Sequence, residues 1–180
     1  MQLSNWFNVV DKRRQISIGT SQKCGFGSLN LGKYEYGMLK RPFPMFDERY
    51  WVVREPVARF RSFYKHIVRG RAFTRLNWLG EQLFTTDECL SFIEEHLTSS
   101  PDPHWVPQSR ILNAERAVLI PLHHLGRIFP GKREHITNSA DIHLSVENIA
   151  KIRHIYADDV ILYENALKTD CTSLPRIKHA

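Results

Sequence analysis

Only three cysteines, Cys24, Cys89 and Cys171, occur among the 180 residues, an odd number without metal-ligand spacing. A disulfide framework is therefore not expected, and a reducing compartment suits the chain better than an oxidising one. No run approaches the ~18 apolar residues of a membrane-spanning helix, so the chain reads as soluble. Met1 to Arg14 lacks both an apolar core of signal-peptide length and a small-residue cleavage site. Secretion is thus not expected, the cytoplasm is the expected location, and any membrane anchor would lie outside this chain. Internal repeats, low-complexity blocks and long linkers are missing too, which predicts a single domain over 1–180. The nine histidines do not make up for the lack of metal-binding cysteines: His123 and His124 are adjacent, a spacing expected to send their side chains apart, and no Cys/His pair shows zinc spacing. No metal is expected.

What is present is close to the average soluble protein, with 42% hydrophobic and 24% charged residues. A chain of this length buries about two-thirds of its unfolded surface and needs no covalent staples. The formal charge of +6 and pI near 9.4 favour an anionic partner. Nucleic acid, acidic polysaccharide, anionic lipid and a polyphosphate-like cofactor all satisfy that.

Gln15 to Thr20 alternates β-branched residues and reads as a strand, followed by a loop of small residues from Ser21 to Ser28. Leu29 to Leu39 is expected to hold one short helix. Tyr50-Trp51-Val52-Val53 is continuously apolar, as in a parallel strand buried on both faces. Pro56 suits a first helical turn, and Val57, Phe60, Tyr64, Ile67 and Val68 follow at helical spacing to Gly70. Thr85 and Glu88 form a capping box before Leu90, Ile93 and Leu97. Ala117 to Ile120 reads as a third buried strand, and Leu122 to Phe129 as a short helix. Ser145 caps a helix marked by Ile149, Ile152 and Tyr156, with Val160, Tyr163 and Leu167 continuing its apolar face past a break at Asp158-Asp159. Strands alternating with helices predict an α/β fold.

Two segments carry chemistry. Gln22-Lys23-Cys24-Gly25-Phe26-Gly27-Ser28-Leu29 has glycines that let backbone N–H groups converge on an anion, a lysine for charge, and a serine where a helix would start. It is not a Walker A loop, because Lys23 precedes the glycines; a plain turn with a solvated lysine is the competing reading. Arg54 closes the second strand, where open α/β sheets place ligands, and its planar guanidinium suits bidentate phosphate binding. Arg59 and Ser62 share one face of the following helix, and Phe60 and Tyr64 are expected to pack the other. Arg61, Lys65, Arg69 and Arg71 read as solvated surface charges.

Arg54-x-Pro56-x-x-Arg59-x-x-Ser62-x-Tyr64 resembles the 3′-phosphate motif of sulfotransferases, those acting on carbohydrates in particular. Lys23 to Ser28 is similar to their 5′-phosphosulfate loop, His104-Trp105-Val106-Pro107-Gln108 to a segment many of them share, and Ile155 to Leu167 to their closing helix, so the likeness spans about 16–167. Phe26 and Gly27 stand where Ser or Thr is common, and Pro121 where glutamate is often seen. The resemblance implies a P-loop-like three-layer α/β fold with a mostly parallel central sheet. It also implies 3′-phosphoadenosine-5′-phosphosulfate (PAPS) as sulfuryl donor, a hydroxyl acceptor on a carbohydrate or glycolipid, and no nucleic acid partner. At the matched positions, Lys23 would stabilise the leaving phosphate, the loop from Cys24 to Leu29 would cradle it, and Arg54 with Ser62 would hold the 3′-phosphate. Arg59 and Tyr64 would support the motif.

A base must take the acceptor's proton, and histidine suits that task near neutral pH. His104, held between Pro103 and Pro107 at an expected cleft edge, is the first choice; Glu35, Asp47 and His123 compete with it. A P-loop-like kinase, or a basic nucleotide-, RNA- or glycan-binding protein without sulfuryl transfer, are the alternatives. The second is motivated by aromatics interleaved with arginines from Phe60 to Trp78.

Overall fold

Tyr50 and Val52 point to one face of a strand and Trp51 and Val53 to the other, and all four are buried. A strand apolar on both faces belongs in the middle of a sheet covered on both sides, and that is where it lies. The computed structural model describes residues 7–11, 16–21, 35–37, 48–65, 85–99, 104–111, 117–128, 141–170, 172 and 174. Among these residues five strands, β1 (Phe7–Asp11), β2 (Ile16–Thr20), β3 (Glu35–Gly37), β4 (Glu48–Val53) and β5 (Val118–Pro121), form one sheet in the order β3-β1-β2-β4-β5. β2, β4 and β5 run parallel, whereas β1 pairs antiparallel with both β2 and β3. The sheet is therefore mixed, with a parallel three-stranded part, and the expected α/β class holds at that level.

Among the described residues six helices follow: α1 (Pro56–Phe63), α2 (Thr86–His96), α3 (Gln108–Ile111), α4 (Leu125–Ile128), α5 (Val146–Ile155) and α6 (Ala157–Leu167). Leu125 of α4 joins Ile18, Tyr50, Val52 and Ile120 against one sheet face. Leu162, Tyr163 and Ala166 of α6 cover Trp51 and Val53 on the other. A separate helical core gathers Phe60 and Phe63 of α1, Leu90 and Ile93 of α2, Trp105, and Ile152 and Tyr156 at α5.

Local chemistry explains the helix starts. Glu55 caps α1 by accepting the Ala58 N–H at 2.6 Å, with Pro56 in the first turn. The capping box of α2 is complete: the Thr85 hydroxyl accepts from the Glu88 N–H, and the Glu88 carboxylate accepts from the Thr85 N–H at 2.8 Å. Those bonds hold the Glu88 carboxyl below its ordinary value. Ser145 caps α5 through the Asn148 N–H.

Several expectations are corrected. Within Leu29–Leu39, Glu35–Gly37 is strand, not helix; pairing with β1 satisfies its backbone, and the flanking glycines disfavour a helix. β1 extends the sheet upstream of residue 16. β5 is an edge strand with Val118 42% exposed, so only its carboxyl half is buried. The segment after it opens as a 3-10 turn, Leu122–His124, before α4. The break before α6 falls at Tyr156, with φ −111° and ψ 37°, and not at Asp158-Asp159. Leu167 is 52% exposed; the packed stripe of α6 runs through Leu162, Tyr163 and Ala166 instead.

One close approach ties the sheet together. Gly19 of β2 stands opposite Trp51 of β4, and a Cβ at Gly19 would collide with the indole ring. Only glycine leaves room for the ring there.

Candidate functional site

The parallel strands end together. Thr20 lies opposite Val52, and Val53 opposite Pro121, so the chain leaves β2, β4 and β5 along one edge. Such an edge is where open α/β sheets bind ligands. Ser21 follows β2 and Arg54 follows β4, so both stand where the chain leaves this edge. Lys23, Cys24, Gly25, Phe26, Gly27, Ser28 and Leu29 lie outside the described residues, although the strand that leads into them is described.

Arg54 is half-buried. Its main chain is held by a side chain from a distant segment: the Arg54 N–H donates to Gln108 Oε1 at 3.0 Å, and Gln108 Nε2 donates to the Arg54 carbonyl at 2.8 Å. Gln108 is fully buried, and its own position is set by Asp159 of α6. The Gln108 N–H donates to Asp159 Oδ2 and the Ser109 N–H to Oδ1, each at 2.8 Å. Arg59 completes the cluster, its Nη1 3.9 Å from Asp159 Oδ2. An aspartate in the first turn of α6 also lies favourably in the helix field.

Arg59 and Ser62 were expected on a binding face of α1, opposite a packing face. Both are buried, at 3% and 2% exposure, alongside Phe60, Phe63 and Tyr64, so the helix is packed nearly all round. Arg59 faces an internal carboxylate, Asp159. Ser62 is far less accessible than Arg54. Arg61 and Lys65 are half-buried and not freely solvated, and Lys65 pairs with Asp141 at 2.8 Å.

His104 was expected at a cleft edge. It is 9% exposed and, with Pro56, Arg59, Phe60, Phe63 and Tyr156, lines a cavity of ≈ 10 Å³, about the room one water needs. The Tyr156 hydroxyl donates to the Trp105 carbonyl at 2.7 Å, and burial pushes its ionisation up. The residues around His104 therefore anchor its segment to α1 and α6.

The other proton-acceptor candidates are separated by the sheet. Glu35 pairs with Val10, which pairs with Ser17, so it lies three positions back from the carboxyl edge, roughly 10 Å along the strand direction. Asp47 lies outside the described residues. His123 is exposed, two residues past the end of β5 and on the carboxyl edge. Its ring meets that of His124 with centroids 4.2 Å apart, against the expectation that the two side chains diverge. The 3-10 turn brings them together. Partial burial, then His123 and Arg127, lower the basicity of His124. Among the described residues no group of three His, Cys, Asp or Glu side chains is placed to hold a metal ion. Cys89 is an inert core thiol, its ionisation pushed up to about 12 by burial; Cys24 and Cys171 lie outside the described residues. No helix among the described residues is long and apolar enough to cross a membrane.

Gln108 and Asp159 were not singled out as site residues. Their signal was present in the sequence, as a glutamine closing His104–Gln108 and an aspartate three residues after Tyr156, but only the fold joins residues 51 apart. Comparison with protein-family models, with curated proteins and with solved structures gives no match in any of the three.

Proposed function

We propose that the chain binds PAPS across the carboxyl edge of β2 and β4 and transfers its sulfuryl group to a hydroxyl, on a carbohydrate or glycolipid. The observation that carries this is the β2–β4 pairing: the segments bearing the two anion-binding motifs leave the sheet one strand spacing apart, ~4.8 Å. A nucleotide charged at both ends of its ribose needs two separately mounted cationic sites at a fixed spacing. In this proposal Lys23, three residues after β2 in sequence, and Arg54, directly after β4, supply them. In this proposal the fold is a P-loop-like three-layer arrangement, the segment from Cys24 to Leu29 cradles the 5′-phosphosulfate, and Arg54 holds the 3′-phosphate, with the buried Ser62 on the helix behind it.

The acceptor oxygen forms a bond to sulfur as the bond from sulfur to the 5′-phosphate oxygen breaks. The bonding pair leaves with 3′,5′-adenosine bisphosphate, beside the Lys23 ammonium. Positioning and fixed charge do most of the work in such transfers. The hydroxyl proton needs an acceptor on the same edge. Exposure and position favour His123 over His104 and over Glu35. A base of this kind gives kcat/KM an acid limb, since the protonated imidazole cannot take the proton. His123→Ala is expected to abolish that limb and His104→Ala to leave it in place; the reverse result returns the role to His104.

Ligand binding tests the proposal most directly. 3′,5′-Adenosine bisphosphate at a hundred times its dissociation constant should stabilise the chain by about 2.7 kcal/mol in a thermal-shift experiment, with a smaller response to ATP at equal concentration. Protection by a short RNA without any response to the bisphosphate would sink the proposal in favour of a nucleic-acid-binding protein. Protection by ATP alone would favour a kinase. Bisphosphate protection without turnover on any acceptor would leave a nucleotide-binding protein.

A further inference from the structure

β4 and β5 end on the same pair of residues. The last pairing on the β5 side is Val53 with Pro121, after which β5 turns away into the 3-10 turn Leu122–His124. Arg54 is the first residue of the chain after β4. The Gln108 side chain meets it there, presenting an acceptor to the Arg54 N–H and a donor to the Arg54 C=O, the two main-chain groups of one residue that a paired strand would bond. The orientation of its amide is dictated by chemistry: the Arg54 N–H can only donate and its carbonyl can only accept, so Oε1 faces the first and Nε2 the second. Asp159 in turn fixes the Gln108 main chain and sits 3.5 Å from Nε2.

We propose that Gln108 is a positioning residue for Arg54: the amide, oriented by the Asp159 carboxylate, fixes the backbone from which the arginine projects to the ligand's 3′-phosphate. This rests on the nucleotide-binding function proposed above and extends it to a residue outside both phosphate motifs. An arginine whose main chain is already fixed loses little freedom when it meets an anion. Without the clamp, ordering that residue falls to the binding step and weakens affinity on the order of tenfold. Because the 3′-phosphate is remote from the transferring sulfur, the loss is equal in ground and transition states and belongs in KM, not kcat.

Gln108→Met keeps the length and volume of the side chain and removes both bonds to Arg54. With the full chain, at a temperature where circular dichroism shows it folded, calorimetric titration should give a dissociation constant for 3′,5′-adenosine bisphosphate about tenfold above wild type. KM for PAPS should rise in step, with kcat within about threefold. A merely structural role would lower the melting temperature and leave the folded protein's affinity unchanged, and that outcome overturns the proposal.

Gln108→Glu supplies a second measurement should the methionine variant not fold. A protonated carboxyl offers the same donor and acceptor as the amide, while an ionised one offers no donor to the Arg54 carbonyl. Among the described residues, Asp159 from α6 and Arg59 from α1 bring charge to the position, with the buried Tyr156 phenol beside both. Affinity relative to wild type, compared at each pH so that the ligand's own titration cancels, should recover as pH falls from 8 to 5.5; a flat ratio overturns the proposal. If the wild-type chain does not bind the bisphosphate, the nucleotide-binding function fails first and this role goes with it. If wild type and both variants bind alike, only the role of Gln108 fails.

Discussion

Lys23→Ala is expected to lower sulfuryl-transfer turnover by about a hundredfold or more, the loss seen when one main donor to a developing negative charge is removed. The charge that builds on the bridging oxygen as the sulfur–oxygen bond breaks is larger in the transition state than in bound PAPS. An ammonium placed there therefore acts on kcat more than on KM. Arg54→Ala should show the opposite pattern, because the 3′-phosphate carries the same charge before and after transfer. Lys23→Arg keeps the charge but replaces a compact ammonium with a planar fork, and should restore only part of the rate. Single-turnover rates with saturating donor measure this directly. Near-normal turnover of Lys23→Ala would remove the lysine from the mechanism and leave the loop as a plain turn.

Asp159→Ala is expected to have the largest effect on stability, about 3–5 kcal/mol, the usual result of removing one partner from a buried charged cluster. Asp159 is fully buried and accepts from the Gln108 and Ser109 N–H groups while facing Arg59. Truncation takes the acceptor from two main-chain N–H groups and the carboxylate from in front of Arg59, and each unsatisfied donor alone costs about 1–3 kcal/mol. Asp159→Asn helps little, because one carboxamide position must then present N–H groups to another donor. Urea unfolding should show the loss as a lowered midpoint with an unchanged slope. A loss below about 1 kcal/mol would mean that the cluster is solvated and does not hold α6 to the segment after His104.

The parts of the molecule that were legible in the sequence are those whose cause is local. β4 is recognisable because four consecutive apolar residues suit only a strand buried on both faces. α2 and α5 start where Thr85 and Ser145 accept the first free N–H groups. What was missed is decided at long range. β1 has two polar residues in five and gains its strand character from β2 and β3 on either side. Glu35–Gly37 is extended for the same reason, since β1 supplies an edge that local helix propensity does not anticipate. His104 looked like a loop residue between prolines, yet α1 and Tyr156 close over it. The contact between Gln108 and Arg54 spans 54 positions. Within the site, the motif types were readable, but the clamp on Arg54 and the single edge shared by β2, β4 and β5 needed the fold.

The indole of Trp51 above Gly19 acts on the spacing of the two motifs as a caliper does on a gap. Sliding β2 along β4 by one residue would put a side chain where only Gly19 fits, besides turning β2's inward residues outward. The offset between the ends of β2 and β4 is therefore held to a single value before any ligand arrives. Length changes between Gly37 and Glu48, outside β3 and the first motif, can then be absorbed without altering the gap, whereas one residue inserted or deleted between Gly19 and Ser21 would shift the first motif relative to Arg54. The tolerance of this protein to change should fall sharply at that boundary.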